Sequence, residues 1–180
     1  MRMHNSKLLI AALFCLTLFS SCSSNLRPFT DNIYDEIGTD RELKKVQFYL
    51  SSDIVLYRDF GGSRSKVENG KIRVVNGRKI EEIVFKKGTP GVFVFSPKRD
   101  RIAVSFEQGE GKYLMFGPNQ RVGGRFVLLA KEWKNRTGKV TYDNEIWNTT
   151  DESAYANLLV DLDRARRTTV SKKTVRGRKI

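Results

Sequence analysis

The stretch "VQFYLSSDIVLYRDF" (residues 46–60) decides how the chain is read. It alternates or runs apolar along its length, which marks strand rather than helix. It is long enough for one bent strand or for two short ones. "SSD" in its middle then serves as a bulge or corner.

The same grammar extends in the C-terminal direction. "GGSRSKVENG" is a turn-rich loop. "KIRVVNGRKIEEIVF" carries Asn76-Gly77 between two β-branched runs, a strong hairpin signal. "KKGTPG" punctuates, and "VFVFS" suits a buried strand. "PKRD" turns into "RIAVSFE", "QGEGK" into "YLMFG", and "PNQRVGG" into "RFVLLAKEW". "KNRTG" leads to "KVTYDNEIWN", with a tight turn expected at Asp143-Asn144. Eight to ten short strands with polar, glycine-rich turns predict a mainly β fold, an antiparallel sandwich or small barrel. They do not resemble the alternating strands and long helices of a parallel sheet.

One C-terminal helix is expected near residues 151–167. Thr149 and Glu152 have capping-box spacing, and Ala154, Leu158, Leu159, Leu162 and Ala165 share a helical face. Residues 43–168 then form the globular domain. Residues 169–180 follow as a basic tail or a final edge strand. No internal repeat or low-complexity tract is evident.

The N-terminus reads as a secretory signal over residues 1–21. Arg2 and Lys7 precede the 12-residue apolar run "LLIAALFCLTLF", too short to span a bilayer comfortably. Ser20 and Ser21 then precede Cys22. The stretch "FSSC" resembles the lipobox of bacterial lipoprotein signal peptides, with Phe19 where that signal usually carries leucine. The resemblance covers the N-terminal residues only. It implies that Cys22 is acylated, that the chain is cut before it, and that the protein lives in a bacterial envelope. The absence of aspartate at position 23 favours the outer membrane under the sorting rule of well-studied Gram-negative systems. Residues 22–42, polar and without sustained periodicity, are expected to be a lipidated tether ending in a short ordered lead-in.

Charge narrows the partners. The 180-residue chain has 33 Lys and Arg against 20 Asp and Glu, a formal net charge of +13. A chain beginning at Cys22 loses two cations and no acid, and keeps +11. That excess favours anionic partners: a membrane surface, an anionic glycan or lipopolysaccharide, or an acidic face of an envelope protein. The C-terminal run Arg164, Arg166, Arg167, Lys172, Lys173, Arg176, Arg178 and Lys179 contains no acid and is the sharpest charge feature. Lys86 and Lys87, before Gly88-Thr89-Pro90-Gly91, make a second candidate anion or partner site, because turn amides can hold an anion. The loop lacks the Gly-Lys-Ser/Thr ending of a phosphate-binding P-loop. "GGRFVLLAKEWKNR" interleaves basic and aromatic residues, as single-stranded nucleic-acid binders do. The plainer reading is a core strand, with Phe126, Leu128 and Trp133 inward and the cations outside. An envelope address further disfavours nucleic acid.

Familiar catalytic equipment is sparse. The only histidine is His4, within the signal, and Cys15 lies there too. A chain cut before Cys22 therefore has no Ser-His-Asp or Cys-His nucleophile system and no His- or Cys-based zinc site. No cofactor or metal site is expected. Carboxylate chemistry remains, with Asp53, Asp59, Glu81, Glu82, Glu107 and Glu110 as candidates. Adjacent Glu81 and Glu82 would point to opposite faces of a strand. The composition favours a non-enzymatic envelope binding or structural component, such as an accessory subunit of a secretion or envelope-assembly machine. An anionic-glycan module is the alternative, and a carboxylate hydrolase ranks third.

Deleting residues 171–180 should weaken any salt-sensitive association of the protein with anionic surfaces. Sedimentation with membranes from low to moderate salt measures this. Identical profiles for the truncated and full chains would count against a role for the basic run.

Overall fold

The computed structural model describes residues 25–59, 71–75 and 78–162. Strand β1 (Leu26–Pro28) leads into two short helices, α1 (Asp31–Ile37) and α2 (Asp40–Leu43). Strands β2 (Gln47–Leu50), β3 (Ile54–Asp59), β4 (Lys71–Val75), β5 (Arg78–Phe85) and β6 (Pro90–Lys98) follow. Next come β7 (Arg101–Ser105), β8 (Leu114–Asn119), β9 (Arg125–Leu128), β10 (Glu132–Lys134), β11 (Thr137–Tyr142) and β12 (Glu145–Thr150). One helical turn, α3 (Asp151–Ala154), precedes the last strand, β13 (Leu158–Asp161).

These strands build two antiparallel sheets packed in a sandwich-like manner, the mainly β fold that the periodicity predicts. One sheet has the order β1-β13-β2-β6-β7-β8-β9, and the other β10-β11-β12-β3-β5-β4. The described residues form 13 strands rather than eight to ten, because several apolar runs divide at corners.

"SSD" is one such corner. Phe48 and Leu50 of β2 are fully buried, as are Ile54 and Leu56 of β3. Leu50 and Ile54 lie four residues apart, so the inward parity survives the change of sheet. The chain crosses again between β5 and β6, beside the first corner. Gly88 N–H donates to Leu50 O at 2.8 Å, and Ser51 N–H donates to Asn157 O at 2.9 Å. Asn157 N–H in turn donates to Ser51 Oγ at 2.9 Å. These bonds satisfy backbone groups that would otherwise lose their ladder partners where the strands part.

The seven-stranded sheet curls until its edges meet. Isolated bridges join Thr30 to Arg125 and Val127 to Asn157. Phe126 N–H donates to Phe29 O at 2.9 Å, and Leu128 N–H to Ala156 O at 3.1 Å. This joining covers edge groups that would otherwise invite another strand. Phe29 fills the interior, with its ring centroid 5.1 Å from that of Phe48 and 4.8 Å from that of Phe126.

Two expectations are corrected. Residues 22–42 are not a tether over their described part. Phe29 is fully buried, β1 pairs with β13, and Thr30 and Thr39 cap α1 and α2. The polar composition misled because these helices are short and each buries only a few apolar side chains. Residues 22–24 lie outside the described residues.

Among the described residues, the helix expected near 151–167 is not continuous: it is the single turn α3, a strand follows, and Leu162 is again helical. Thr149 makes no capping box: its hydroxyl donates to Val55 O at 2.8 Å, and Thr150 occupies the N-cap position. Leu158–Asp161 is a strand that buries Leu158 and Val160 between β1 and β2. Leu158 and Val160 fit a two-residue period as well as Leu158 and Leu162 fit a helical one, and two open backbone ladders decide between them. Residues 163–167 lie outside the described residues.

Ser153 has a specific backbone duty. Val55 N–H, on the side of β3 that β12 has left, donates to Ser153 Oγ at 3.1 Å. Ser153 is itself buried. Ser153→Ala should therefore cost about 1–3 kcal/mol by stranding that N–H. Urea unfolding should show a lower midpoint with an unchanged slope; an unshifted midpoint would mean that water replaces the hydroxyl.

Candidate ligand-binding site

The residues singled out in the sequence do not converge on one site. Cys22 and the run Arg164, Arg166, Arg167, Lys172, Lys173, Arg176, Arg178 and Lys179 lie outside the described residues. Lys86 and Lys87 occupy the β5–β6 corner, and their loop already holds an anion. Asp53 Oδ1 accepts from Lys87 N–H at 2.7 Å, and Asp53 Oδ2 lies 2.8 Å from Lys86 Nζ. The amides of Gly88 and Thr89 are spent on Leu50 O and Lys86 O. The chain's own carboxylate thus fills the proposed anion cradle, and the corner is a structural joint.

Four of the candidate carboxylates, Asp53, Glu81, Glu82 and Glu107, are engaged by other groups. Glu81 is buried and pairs with Arg58 Nε at 2.8 Å. The Arg58 guanidinium lies 4.2 Å from the centroid of the Trp147 ring. Glu82 is only partly buried on the opposite face of β5, as expected. Glu107 accepts a hydrogen bond from the Tyr142 hydroxyl and lies 3.5 Å from Lys112 Nζ. Burial, followed by this bond to Glu107, pushes the Tyr142 phenol pKa up. Asp59 and Glu110 are exposed. None of these six lines any of the clefts described next.

The concave surface lies elsewhere, on the outer face of the seven-stranded sheet. Ile102, Val104, Leu114 and Phe116 point inward and are fully buried. The alternate positions therefore face outward. Phe95 pairs with Ala103, and Ala103 with Met115. Leu129 N–H donates to Met115 O at 2.8 Å, which extends the row to a fourth chain segment. The outcome is an apolar stripe across β6, β8 and the segment after β9, in which Ala103 of β7 is fully covered. A bulge between Phe93 and Phe95 also turns Val94 outward. Val92, Val94 and Phe95 are 53%, 40% and 37% exposed.

Three adjoining clefts follow this stripe, and Leu129 lines all of them. One, of about 220 Å³, has Met115, Leu129 and Ala130 against Lys98, Arg101 and Lys131. A second, of about 360 Å³, lies between the β6–β7 turn and Pro118. Gly117 keeps that floor low: a Cβ there would sit 2.9 Å from Leu129 Cδ1 and 3.1 Å from Asp100 O. The third, of about 530 Å³, reaches Arg121, Val127 and Trp133.

"GGRFVLLAKEWKNR" supplies one wall. Phe126 and Leu128 point inward as predicted, but Trp133, expected inward with them, is 43% exposed because it lies on a separate edge strand, β10. The indole lies over Gly138, where a Cβ would fall 2.7 Å from its Cζ3. Arg125, Lys131, Lys134 and Arg136 are exposed, and Arg136 pairs with Asp151 at 2.7 Å. Sequence reasoning missed Lys98, Arg101, Met115 and Leu129 as a group. "PKRD" reads as an ordinary turn until the register brings it over Met115 and Leu129.

Comparison with protein-family models, curated proteins and solved structures finds no match.

The joint at Asp53 has a pH signature. Its pKa is held below the usual 3.8 by the Lys86 ammonium first and the Lys87 N–H second. A depressed folded-state pKa adds stability above the unfolded value, which is lost as pH falls through the folded value. The gap in Tm between wild type and Asp53→Asn should therefore be widest near neutrality and close below the carboxylate range. A gap independent of pH would assign the contribution to shape rather than charge.

Proposed function

We propose that the protein is a lipid-anchored component of a bacterial envelope, a non-enzymatic binding or structural protein carried close against the leaflet. The observation that carries this reading is the position of β1. It begins at Leu26, four residues after Cys22. Four residues reach at most about 14 Å. An acyl group on Cys22 therefore holds the domain near the headgroups instead of letting it range on a long tether.

The outer face of β6 to β9 suits a binding role at that location. Exposed Val92, Val94 and Phe95 share strand β6 with Lys98, one of the cleft cations, a combination that favours a partner with apolar and acidic character. The six candidate carboxylates lie away from the described clefts, which gives the hydrolase reading no support. With its amides filled by Asp53, the Lys86–Lys87 loop gives none to a second anion site.

Fatty-acid labelling and membrane fractionation of wild type beside Cys22→Ala test the anchor. Wild type should carry label and fractionate with membranes, and the variant should lose label. A variant that is labelled as strongly as wild type overturns the reading.

A further inference from the structure

We infer that the cleft between Lys98, Arg101 and Lys131 binds one anionic phospholipid of the facing leaflet. Its headgroup phosphate sits on the three cations and the start of an acyl chain lies on Met115, Leu129 and Ala130. Three observations carry the assignment. The first is charge: three cations and no carboxylate line this 220 Å³ cleft. Among the described residues none of the three is held in an ion pair.

The second is amphipathicity. The cations rim an apolar floor of Met115, Leu129 and Ala130. An inorganic anion would leave that floor wet, and a neutral apolar ligand would leave the cations unused. A phosphate joined to a hydrocarbon chain meets both surfaces.

The third is position, and here the inference rests on the anchored reading above. Thr30, just after β1, bridges Arg125 at the start of β9. The segment that follows β9 supplies Leu129, Ala130 and Lys131 to the cleft. The chain that leaves Cys22 therefore joins the strand whose continuation forms the cleft wall. Headgroups within reach of an anchored Cys22 are the nearest source of phosphate.

The sequence supplies its own reporter. Met1 and Met3 precede Cys22, so residues 22–180 contain one methionine, Met115, on the cleft floor. The chain of residues 22–180 with Cys22→Ser, labelled at the methionine methyl, is titrated with dihexanoyl phosphatidylglycerol below its micelle concentration. Dihexanoyl phosphatidylcholine, glycerol phosphate and a short poly-glutamate peptide are titrated in parallel.

The expected result is a saturable shift of the Met115 methyl with the anionic lipid. The affinity should be at least about tenfold weaker for phosphatidylcholine and for the Lys98→Gln/Arg101→Gln/Lys131→Gln variant. Removing Lys79, Lys87 and Lys134 to Gln, the same charge change away from this cleft, should leave it within about twofold. The inference is overturned by no shift, by equal affinity for the two lipids, or by unaltered binding in the cleft variant. Equal shifts from glycerol phosphate or the acidic peptide also overturn it, since neither brings an acyl chain. Because this chain carries no acyl group, a negative titration leaves the Cys22 labelling result standing, and the reverse holds as well.

Discussion

The bond between Asp53 and the Lys86–Lys87 corner is the constraint from which the rest of the architecture follows. Strands β2 and β5 both leave their sheets within a few residues of this point, and neither departure is tolerable alone. A strand that changes sheets abandons its ladder partners, and the stranded backbone groups must be met on the spot. Asp53 ties the two corners through one backbone amide and one ammonium. Gly88, at φ 79°, allows the tight turn that delivers its own N–H to Leu50 O. With the corners locked, β3 and β5 pair in one sheet while β2 and β6 pair in the other.

A second constraint is satisfied on the far side of β2. β13 inserts between β2 and β1, and its approach segment meets Ser51 through two reciprocal hydrogen bonds around Asn157. The same segment bridges Val127, drawing the β9 edge toward the N-terminal strand. Residues 25–43 are therefore part of the fold's closure rather than an appendage. Phe29 stands at the junction, packed against rings from β2 and β9. This closure fixes Leu26, four residues after Cys22, on the folded domain, so it carries the proposed function as directly as it carries the core.

The cleft system exists because the crossing at Leu129 leaves the outer face of the sheet without a covering layer. Leu129 is pinned to Met115 and Lys131 to Lys139, one bond on each sheet. Between those bonds the chain overhangs the outward side of β8, where Gly117 has no side chain to fill the space. Exposed cations border this hollow because side chains on the outside of a sheet follow its solvated face. The hollow is apolar because Met115 occupies an outward position that a solvated strand would give to a polar residue. Core demands do not account for it, since the inward positions on the same strand, Leu114 and Phe116, are already filled.

Much of the local structure was legible in the sequence. The two-residue period announced a β fold, "SSD" announced a corner, and Phe126 and Leu128 announced an inward face. The Asp143-Asn144 turn takes the positive φ values, 52° and 59°, that the dipeptide predicts. Val75 opposes Arg78, as a hairpin through Asn76-Gly77 requires, although those two turn residues lie outside the described ones. These features were readable because each is set by neighbours within a few positions. Tertiary structure alone decided that Leu158–Asp161 is a strand, that residues 25–43 fold onto the domain, and that Asp53 occupies its own anion cradle. It alone brought Lys98 and Arg101 over Met115 and Leu129. Each of these outcomes depends on strand register or on a hydrogen-bond partner dozens of residues away. Short apolar runs fit either period, and only the partner across the sheet chooses between them.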